Sequence, residues 1–575
     1  MKSGLDLASQ ESNSEPCQSD ESSAVERAPL PERIDLMTRQ EKERLLLRLQ
    51  EQRRKPASIR RQVVPVARRE AKAPGVETMS EEAIRQSLAR LLRHAPRKLA
   101  EVAAQLPRLS AEQCGALLEK LLQRSWEGAT RAQLSFAQQR CWFSYVLDPS
   151  SPAQNIAAAV RVSGPMDFQL LERSLNVIIA RHETLRTNFV AFPDGPAQVI
   201  FPGRLLAITH VDLCGAVREN GEAALYEAIR AEAYRCFDLG AGPLLRVSSF
   251  RTGPSEYVLL LTMHHIIGDE WSIGILLQEL GLLYGTQCQK LPPPLLIQYA
   301  DYCEWQLREI TPETVQSDLA FWRKQLAGAP LVLEVPPDRP RPPIQTNNGA
   351  WEALQLDRES IAGLRSVARS AECTNFMVLL AVCYVLLHAR TGQDDIVLGT
   401  DFANRNRPET AGLIGLFVNE LALRCVLGGD PPFLEIAKRA RAAFVAAVSH
   451  PEAPFQWVVE DLGRPRDPAR GPIFQVVFDL HNVPMRLELG GISLEPMRVP
   501  VRPAKFDLTL FIGESGTDTH ALLEYNTDLY DKETARQLLR DYSRAIALAA
   551  GNASLRLTQL RAALSPGNNS ATRAG

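Results

Sequence analysis

The segment from Val335 to Pro343 limits how this chain of 575 residues can fold more than any other. Its sequence, V-P-P-D-R-P-R-P-P, has prolines at 336, 337, 340, 342 and 343. Each proline fixes φ and removes a backbone donor, so the segment can form neither a helix nor a central strand. Because the chain also exceeds one ordinary core, we predict a stiff crossover between two folding units, an N-terminal lobe over 131–335 and a C-terminal lobe over 336–560.

Helical and strand patterns alternate on both sides of this crossover. In the first unit, an apolar stripe predicts a helix over Phe168–Arg186, and a Pro-Asp-Gly turn at 193–195 predicts a hairpin. In the second unit, we predict helices over Asn375–Thr391 and Lys532–Ala549, with short strands between them. The fold class is therefore α+β, with two similar lobes that face each other across a cleft.

The ends of the chain differ from this body in composition. Residues 1–36 are rich in Ser, Glu and Asp and predict a disordered head, and we expect 561–575 to form a disordered tail. Residues 37–130 show short amphipathic helices, the last of them capped by Ser110, joined by a basic, proline-interrupted linker. This region is either a docking element for a partner chain or a linker that packs on the body.

Composition excludes several classes of function. The formal net charge is −2 and 45% of the residues are hydrophobic, which is typical of a globular protein and argues against nucleic-acid binding. No apolar run approaches the length of a membrane span, and the N-terminus lacks an apolar signal core. Ten cysteines are scattered without a C-x-x-C pair, which favours reduced thiols and a cytoplasmic location.

The stretch from Tyr257 to Ser272, Y-V-L-L-L-T-M-H-H-I-I-G-D-E-W-S, carries the strongest chemical pattern. A buried strand over Tyr257–Thr262 ends in His264 and His265, whose side chains point to opposite faces. Asp269 follows, and Ser272 is the predicted N-cap of a helix. Spacing alone leaves three interpretations open: satisfied core histidines, a metal site, or acid–base chemistry by a neutral imidazole.

Seven separated motifs in the order of the chain resemble the condensation domains of nonribosomal peptide synthetases. The central one, M-H-H-I-I-G-D-E-W-S, is similar to the family's active-site motif H-H-x-x-x-D-G. The others are L-S-F-A-Q-Q-R-C-W-F at 134–143, R-H-E-T-L-R-T at 181–187, Y-A-D-Y-C-E-W-Q at 299–306, I-G-L-F-V-N-E-L-A-L-R at 414–424, P-F-Q-W-V-V-E-D-L at 454–462 and G-P-I-F-Q-V-V-F at 471–478.

The resemblance implies two lobes similar to chloramphenicol acetyltransferase, arranged as a V around a central tunnel. Donor and acceptor would arrive on the 4′-phosphopantetheine arms of partner carrier proteins acting in trans, with no tightly bound cofactor and no metal. An amide bond would then form at His265, while His264 packs behind it and Asp269 supports the loop. No G-x-S-x-G nucleophile motif surrounds the site, so direct attack without an acyl-enzyme is expected.

The resemblance also suggests supporting residues. Asp269 is expected to pair with an arginine, either Arg181 or Arg186, and backbone N–H groups of the 268–272 turn are candidates for binding the oxyanion. The expected active-site support consists of Arg181, Arg186, Gly268, Glu270, Trp271 and Ser272, and the expected tunnel lining is Asn419 and Trp322.

Glu270 departs from the family's pattern, which has glycine after the aspartate. If the turn requires a positive φ, glutamate is strained there. If φ is negative, the carboxylate narrows or charges the tunnel and is expected to raise the pKa of His265 or to constrain the acceptor, unless it points to solvent.

Three functions remain open at this level. The chain is expected to join a carrier-bound acyl or peptidyl thioester to an amine in nonribosomal peptide or hybrid polyketide–peptide biosynthesis. An ester-forming enzyme with a hydroxyl acceptor would use the same histidine. A catalytically silent recruitment platform would have no need for His264, His265 and Asp269.

Overall fold

The computed structural model describes residues 68–70, 84, 88, 110–114, 116–118, 126–330, 332–465, 467–481, 489, 492–497, 499, 503–515 and 518–565. The predicted head at 1–36 and most of the predicted helical region at 37–130 lie outside these residues. Ser110 does cap the helical residues that follow it, because the Gln113 N–H donates to its hydroxyl at 3.2 Å.

The first lobe is built on two sheets. Its strands are β1 (Arg69–Glu70), β2 (Thr130–Ala132), β3 (Asn155–Ser163), β4 (Thr187–Phe192), β5 (Gly195–Ile200), β6 (Thr209–Asp212), β7 (Leu245–Gly253) and β8 (Glu256–His264). Its helices are α1 (Phe136–Leu147), α2 (Phe168–Arg181), α3 (Cys214–Asn220), α4 (Glu222–Tyr234), α5 (Glu270–Gly285) and α6 (Tyr299–Glu309).

The second lobe contains one larger sheet. Its helices are α7 (Gln316–Gln325), α8 (Arg358–Ser370), α9 (Asn375–Thr391), α10 (Phe433–Val448), α11 (Phe455–Leu462), α12 (Lys532–Gly551) and α13 (Leu557–Leu564). Its strands are β9 (Gly349–Leu356), β10 (Asp395–Phe402), β11 (Asn419–Val426), β12 (Val476–His481), β14 (Leu508–Ser515) and β15 (Asp518–Asn526). Strand β13 (Ser493–Met497) also comes from this half of the chain but lies in the sheet of the first lobe.

The sheet order shows how the two halves interlock. The larger sheet has the order β11-β10-β12-β14-β15-β9, and the first lobe's five-stranded sheet has the order β13-β3-β8-β7-β6. Strand β13 comes from the second half of the chain and pairs antiparallel with β3. The predicted division at 335/336 therefore does not hold for this strand, which completes the sheet of the first lobe.

Two further boundaries differ from the prediction. Helix α7 precedes the proline-rich crossover, yet Trp322 on it packs in the core of the second lobe. Residues 561–564 are the end of α13, so the predicted disordered tail is wrong for these four positions. The proline-rich segment itself forms neither helix nor strand, as its sequence predicts.

The loop between β10 and β11, residues 403–418, connects the lobes and is called the crossing loop below. Its Leu413 and Phe417 pack with Tyr299 and Tyr302 of α6, and its Ile414 and Leu416 join the core of the first lobe. The loop of one lobe is thus part of the core of the other, which fixes the two lobes around the end of β8.

No helix among the described residues is by itself long and apolar enough to cross a membrane. Helices α8 and α9 pass that test only as a pair, and they are bent by 105° relative to each other.

Candidate active site between the lobes

His264 ends strand β8 and lies behind the site. Its side chain is buried, and its Nδ1 accepts a hydrogen bond from the Ile266 N–H at 3.1 Å. The ring also meets the edge of Phe237. Burial, aided by the charges of Lys505 and Arg246, lowers the pKa of His264 to about 3. His264 is therefore a neutral, hydrogen-bonded core residue.

His265 turns the other way. Its Nδ1 lies 2.9 Å from the Gly268 carbonyl oxygen, which can only accept, so Nδ1 carries the proton. The Nε2 atom then keeps its lone pair. Burial and the charge of Lys505 hold the pKa of His265 well below its usual value. Although it lies deep in the protein, the side chain is partly reached by water, as a residue lining an internal cavity would be.

Asp269 is the N-cap of α5. Its Oδ1 accepts hydrogen bonds from the Ser272 N–H at 2.9 Å and lies 2.7 Å from the Ser272 hydroxyl. Its Oδ2 accepts the N–H of Phe417 from the crossing loop at 3.1 Å. The prediction of Ser272 as N-cap was wrong: the carboxylate three residues earlier is the stronger acceptor, and the helix begins at Glu270.

The arginine that pairs with Asp269 is Arg405 of the crossing loop. Its Nη2 lies 3.0 Å from Asp269 Oδ1. Its Nη1 donates to the carbonyls of Thr410 and Leu413, and the guanidinium stacks 4.1 Å above the Phe417 ring. Arg405 thereby holds its own loop and the turn that carries His265.

Arg181 and Arg186 have other partners, so the expected pairing with Asp269 was wrong for both. The Arg181 Nε donates to Glu279 on α5 at 2.9 Å. Arg186 donates to the Phe201 carbonyl. Both arginines brace the first lobe away from the carboxylate, because they lie near the C-terminal side of α2 rather than in the crossing loop.

The other residues of the turn have distinct surroundings. A Cβ on Gly268 would lie 2.9 Å from the Met263 sulfur, so glycine is needed there for space, while its φ of −173° is ordinary extended backbone. Trp271 is 43% exposed and donates from Nε1 to the Ala411 carbonyl. The Ser272 hydroxyl lies 2.9 Å from the Gly415 carbonyl oxygen and accepts the Gly415 N–H at 3.1 Å.

Glu270 is the first residue of α5 and has helical backbone, which excludes the strained alternative. Its charge contributes to raising the pKa of Asp479 in the second lobe, so Glu270 acts electrostatically on the opposite lobe. The expected upward shift for His265 was wrong, since burial and Lys505 dominate and act in the opposite direction.

Asn419 and Trp322, the two residues expected to line the tunnel, have different surroundings. Asn419 borders a surface cleft that is also lined by Phe136, Arg140 and Phe417. Its amide donates to the Pro451 and Ala453 carbonyls and accepts the Phe455 N–H, so it also fixes the start of α11. Trp322 is 2% exposed and donates to the His450 carbonyl, so it is packed inside the core of the second lobe.

The sequence of the chain matches a known family over most of its length. The sequence model of the condensation domain covers residues 129–569. The chain belongs to the condensation domain family. This confirms the resemblance inferred from the motifs, and the mixed helix-and-sheet lobes confirm the fold class.

Relatives of this condensation domain include much longer proteins. A linear gramicidin synthase protein from Brevibacillus parabrevis is 40% identical over 433 residues, which are 74% of this chain but only 8% of the relative. The chain thus spans a small part of such curated relatives.

Several solved structures have the same fold, and the match extends over nearly the whole of each solved chain. The X-domain from teicoplanin biosynthesis matches with a TM-score of 0.66 and 26% identity, over 75% of this chain and 97% of that chain. The same domain in complex with OxyB matches with a TM-score of 0.66 and 27% identity, over 75% of this chain and 95% of that chain. The SgcC5 protein from Streptomyces globisporus, in complex with (R)-(-)-1-(2-naphthyl)-1,2-ethanediol and sucrose, matches with a TM-score of 0.61 and 25% identity over 74% of this chain and 100% of that chain.

The condensation domain also contains charged groups in the gap that sequence reasoning missed. Asp401 and Glu420 are directly opposed on β10 and β11, and Glu420 pairs with Arg140 of α1 at 2.7 Å. Asp479 accepts the Asp401 N–H at 2.8 Å and the Thr400 hydroxyl at 2.9 Å. The signal was present, since Asp401 and Asp479 interrupt apolar strands, but β11 was not predicted and the pairing of strands was unknown.

Three titratable side chains link the two lobes electrostatically: His265 from the first lobe, and Asp401 and Lys505 from the second. Burial is the largest influence on the pKa of each, and the charge of Lys505 lowers the pKa of both His265 and Asp401. His265 and Lys505 are partly exposed to water, and Asp401 is exposed. The second lobe therefore contributes charged groups whose influence reaches the turn that carries His265.

Proposed function

We propose that this condensation domain joins a donor acyl or peptidyl thioester to an acceptor amine, with His265 as the residue that accepts or orients the acceptor's proton. The observation that carries the proposal is the Nδ1–H···O bond from His265 to Gly268, which leaves Nε2 able to accept a proton. Membership of the family supports amide formation as the reaction.

The step balances without a covalent enzyme intermediate. The amine nitrogen adds to the thioester carbonyl carbon, forming a C–N bond and an oxyanion. His265 Nε2 takes one proton from that nitrogen. The carbonyl then re-forms as the C–S bond breaks, and the proton passes to the departing thiolate, so the histidine ends as it began.

A strongly basic histidine is unnecessary for this step. An α-amine titrates at roughly pH 7.7–8.0, so a sizeable fraction is neutral at physiological pH. The lowered pKa of His265 keeps its imidazole neutral, which suits a group that positions a neutral amine. Holding both substrates in one cavity supplies much of the rate by itself.

The substrates of the proposed reaction are thioesters on 4′-phosphopantetheine arms of donor and acceptor carrier proteins. We propose such carriers as partners, acting in trans in a cytoplasmic pathway of secondary metabolism that makes a peptide antibiotic or a similar product. The relatives support this assignment, since one of them is by name the synthase of linear gramicidin. A role of residues 37–130, most of which lie outside the described residues, in docking a carrier stays a prediction.

An ester-forming reaction is the second candidate. The related SgcC5 protein was solved with a 1,2-diol, a ligand with hydroxyl groups. His265 Nε2 would accept a hydroxyl proton as readily as an amine proton, so the same geometry serves both acceptors. A recruitment platform is a third possibility, supported by the complex of the X-domain with OxyB.

One assay separates these candidates. A donor thioester on a carrier protein is incubated with panels of amines and alcohols, with and without an acceptor carrier, and products are identified by mass spectrometry. We expect amide product, reduced about 10²–10⁴-fold by His265→Ala. The matched control is His210→Ala, which removes an exposed histidine on β6, the edge strand of the first lobe's five-stranded sheet.

The outcomes are distinct. Product formation by His265→Ala at the wild-type rate would contradict the role of His265. Esters instead of amides would favour the second candidate. If the wild-type protein forms no product with any acceptor, catalysis is excluded for this panel and the recruitment platform becomes the better account.

A further inference from the structure

Arg68 lies outside the matched family domain, 61 positions before its first residue (129 − 68). It directly precedes β1, whose two residues pair antiparallel with Arg131 and Thr130 of β2. Strand β1 is thereby an edge strand of the four-stranded sheet β1-β2-β5-β4. The basic segment upstream of the domain therefore contributes, at residues 68–70, to the body of the first lobe.

The side chain of Arg68 binds two carboxylates from different parts of this lobe. Its Nη2 lies 2.9 Å from Asp301 Oδ1 on α6, and its Nη1 donates to Glu183, which follows α2. The side chains of Arg68 and Asp301 are 11% and 3% exposed, and that of Glu183 is 21% exposed. The planar guanidinium can serve two acceptors at once, so Arg68 joins the start of α6 to the end of α2 inside the protein.

Gln298, directly before α6, joins the same two segments by other atoms. Its backbone N–H donates to Asp301 Oδ2 at 2.8 Å. Its side-chain amide accepts the Glu183 N–H at 3.1 Å and donates to the Arg181 carbonyl at 3.0 Å. Asp301 therefore uses one oxygen for the first turn of α6 and the other for Arg68, which makes the guanidinium part of the helix start.

The neighbours of the two carboxylates hold the crossing loop. The Thr184 hydroxyl, beside the first carboxylate, donates to the Ile414 carbonyl at 3.0 Å. The Tyr299 hydroxyl, two positions before the second, donates to the Leu416 carbonyl, and its ring meets the edge of Phe417 with the centroids 4.9 Å apart. Both segments that Arg68 joins are thus in direct contact with the crossing loop.

The crossing loop in turn contacts the active-site turn through Phe417, whose N–H donates to Asp269 Oδ2 at 3.1 Å. A continuous series of contacts therefore leads from Arg68, through α6 and the crossing loop, to the turn that carries His265. Close-packed interiors transmit displacements, and a misplacement of about 1 Å far from the chemistry can cost about 10²-fold in rate.

We infer that Arg68 is a positioning residue of the condensation reaction, supplied from outside the matched family domain, which clamps the two segments that hold the crossing loop. The inference rests on the proposed function. Arg68 touches no reacting group and acts on the turn of His265 only through the crossing loop. Of the two alternatives for the region 37–130, residues 68–70 follow the one that packs on the body.

The alternative is that Arg68 only balances the charge of two buried carboxylates. The two roles differ in what a neutralised carboxylate restores. If Arg68 only balances charge, removing one negative charge together with the arginine restores the stability and the reaction alike. If Arg68 fixes the geometry, the same double change restores stability while the reaction stays slow.

The test uses the full-length chain and compares Arg68→Met, Arg68→Lys and the double variant Arg68→Met/Asp301→Asn. The asparagine oxygen can still accept the Gln298 N–H, while the buried charge is removed. Single-turnover rates are measured with a preloaded donor carrier over a range of acceptor concentrations, and urea unfolding gives the stability of each variant. The matched control is Arg131→Met on the neighbouring strand β2, whose ion-pair partner Asp194 is 70% exposed.

We expect Arg68→Met to lose about 10–100-fold in the rate at saturating acceptor, with little change in acceptor KM. Arg68→Lys should fall between this variant and the wild type, because one ammonium does not reproduce the two-acceptor geometry of a guanidinium. The double variant should regain much of the urea midpoint but not the rate. Arg131→Met should match the wild type in both.

A second readout does not depend on turnover. Hydrogen–deuterium exchange followed by mass spectrometry reports the protection of peptides from the crossing loop, whose Phe417 and Gly415 N–H groups bond to Asp269 and Ser272. Loss of the clamp should make these peptides exchange faster in Arg68→Met and in the double variant, but not in Arg131→Met.

Each result decides the matter. A wild-type rate in Arg68→Met overturns the inference and leaves the proposed function intact. Recovery of the rate together with the midpoint in the double variant overturns it in favour of charge balance, and so does a low rate without faster exchange in the crossing loop. If Arg68→Met does not fold, the double variant decides by the same two measurements. If the wild-type protein makes no product, the proposed function fails, and the exchange measurement alone decides whether Arg68 holds the crossing loop.

Discussion

Arg405 Nη2 lies 3.0 Å from Asp269 Oδ1, and the two side chains are 3% and 1% exposed although they come from opposite lobes. The pair joins the crossing loop to the N-cap of α5, one turn away from His265. Breaking a buried ion pair on one side leaves the other charge without compensation, which costs more than the pair itself contributes.

Asp269→Ala should therefore lower the free energy of unfolding by about 3–5 kcal/mol, because Arg405 stays buried and unpaired and α5 loses its cap. Urea titration followed by circular dichroism measures this change. The matched control is Asp461→Ala, which breaks the ion pair with Arg323 on the surface and should barely move the midpoint. Similar midpoints for both variants would contradict the bridging role of Asp269.

His264 predicts a loss of stability in acid. Its pKa of about 3 in the folded protein lies below the ordinary value of 6.5, so the unfolded chain binds the extra proton first as pH falls. The stability is complete above pH 6.5 and declines between 6.5 and 3, by about 1.4 kcal/mol per pH unit from this residue alone.

His264→Asn is the test, because the amide oxygen can still accept the Ile266 N–H while the residue no longer titrates. Urea unfolding at pH 7.5 and pH 5 should show a smaller pH dependence in the variant than in the wild type. An equal dependence in both proteins would mean that His264 is not the buried titrating group.

The titration of Asp479 predicts the opposite dependence of stability on pH. Burial, with the charges of Glu270 and Glu420, raises its pKa to about 6, above the unfolded value near 3.8. The neutral form is favoured in the folded protein, so its contribution is complete below pH 3.8 and is lost as pH rises through 6. At neutral pH the charged form costs at most about 3 kcal/mol.

Asp479→Asn should accordingly raise the urea midpoint at pH 7.5, since the amide oxygen can still accept the Asp401 N–H and the Thr400 hydroxyl. The same substitution at pH 4 is its own control, because the carboxyl is then largely protonated in the folded state and the gain should shrink. A urea midpoint below that of the wild type at pH 7.5 would contradict the expected cost of the buried negative charge.

Two glycines of the crossing loop provide a matched pair. A Cβ on Gly415 would lie 2.0 Å from the Tyr299 ring, whereas a Cβ on Gly412 would only reach ordinary contact with Leu295 at 3.9 Å. Gly415→Ala should cost about 1–3 kcal/mol by overpacking and should slow product formation, because Gly415 also contacts Ser272.

Gly412→Ala should leave the free energy of unfolding and the rate of product formation near their wild-type values. Thermal unfolding and the condensation assay, run side by side on the two variants, check this expectation. If Gly415→Ala unfolds earlier but keeps full activity, the crossing loop stabilises the lobes without positioning the active-site turn.

Local sequence patterns predicted local structure well. Thr374 caps α9 where the sequence predicts the helix to begin, and the apolar run before His264 forms β8. Caps and periodicity act over a few residues, so one segment contains all the information that they need.

The partners of those segments were harder to predict. Arg405 lies 136 positions after Asp269, the residue with which it pairs (405 − 269). No short-range pattern encodes which loop crosses between lobes, and the motif containing two nearer arginines suggested the wrong pair. Trp322 shows the same difficulty, since its core belongs to the lobe that follows the prolines.

Strand β13 has a consequence for the order in which the protein forms during synthesis. Strand β3 offers an open edge from the moment it is made, and its neighbour in the sheet, Ser493–Met497, begins 330 positions after β3 ends (493 − 163). Until that strand has left the ribosome, the edge is a template for pairing with other chains. Nascent chains that stall before this strand are therefore expected to aggregate or to need chaperones, and the first lobe is expected to mature only after much of the second has been translated.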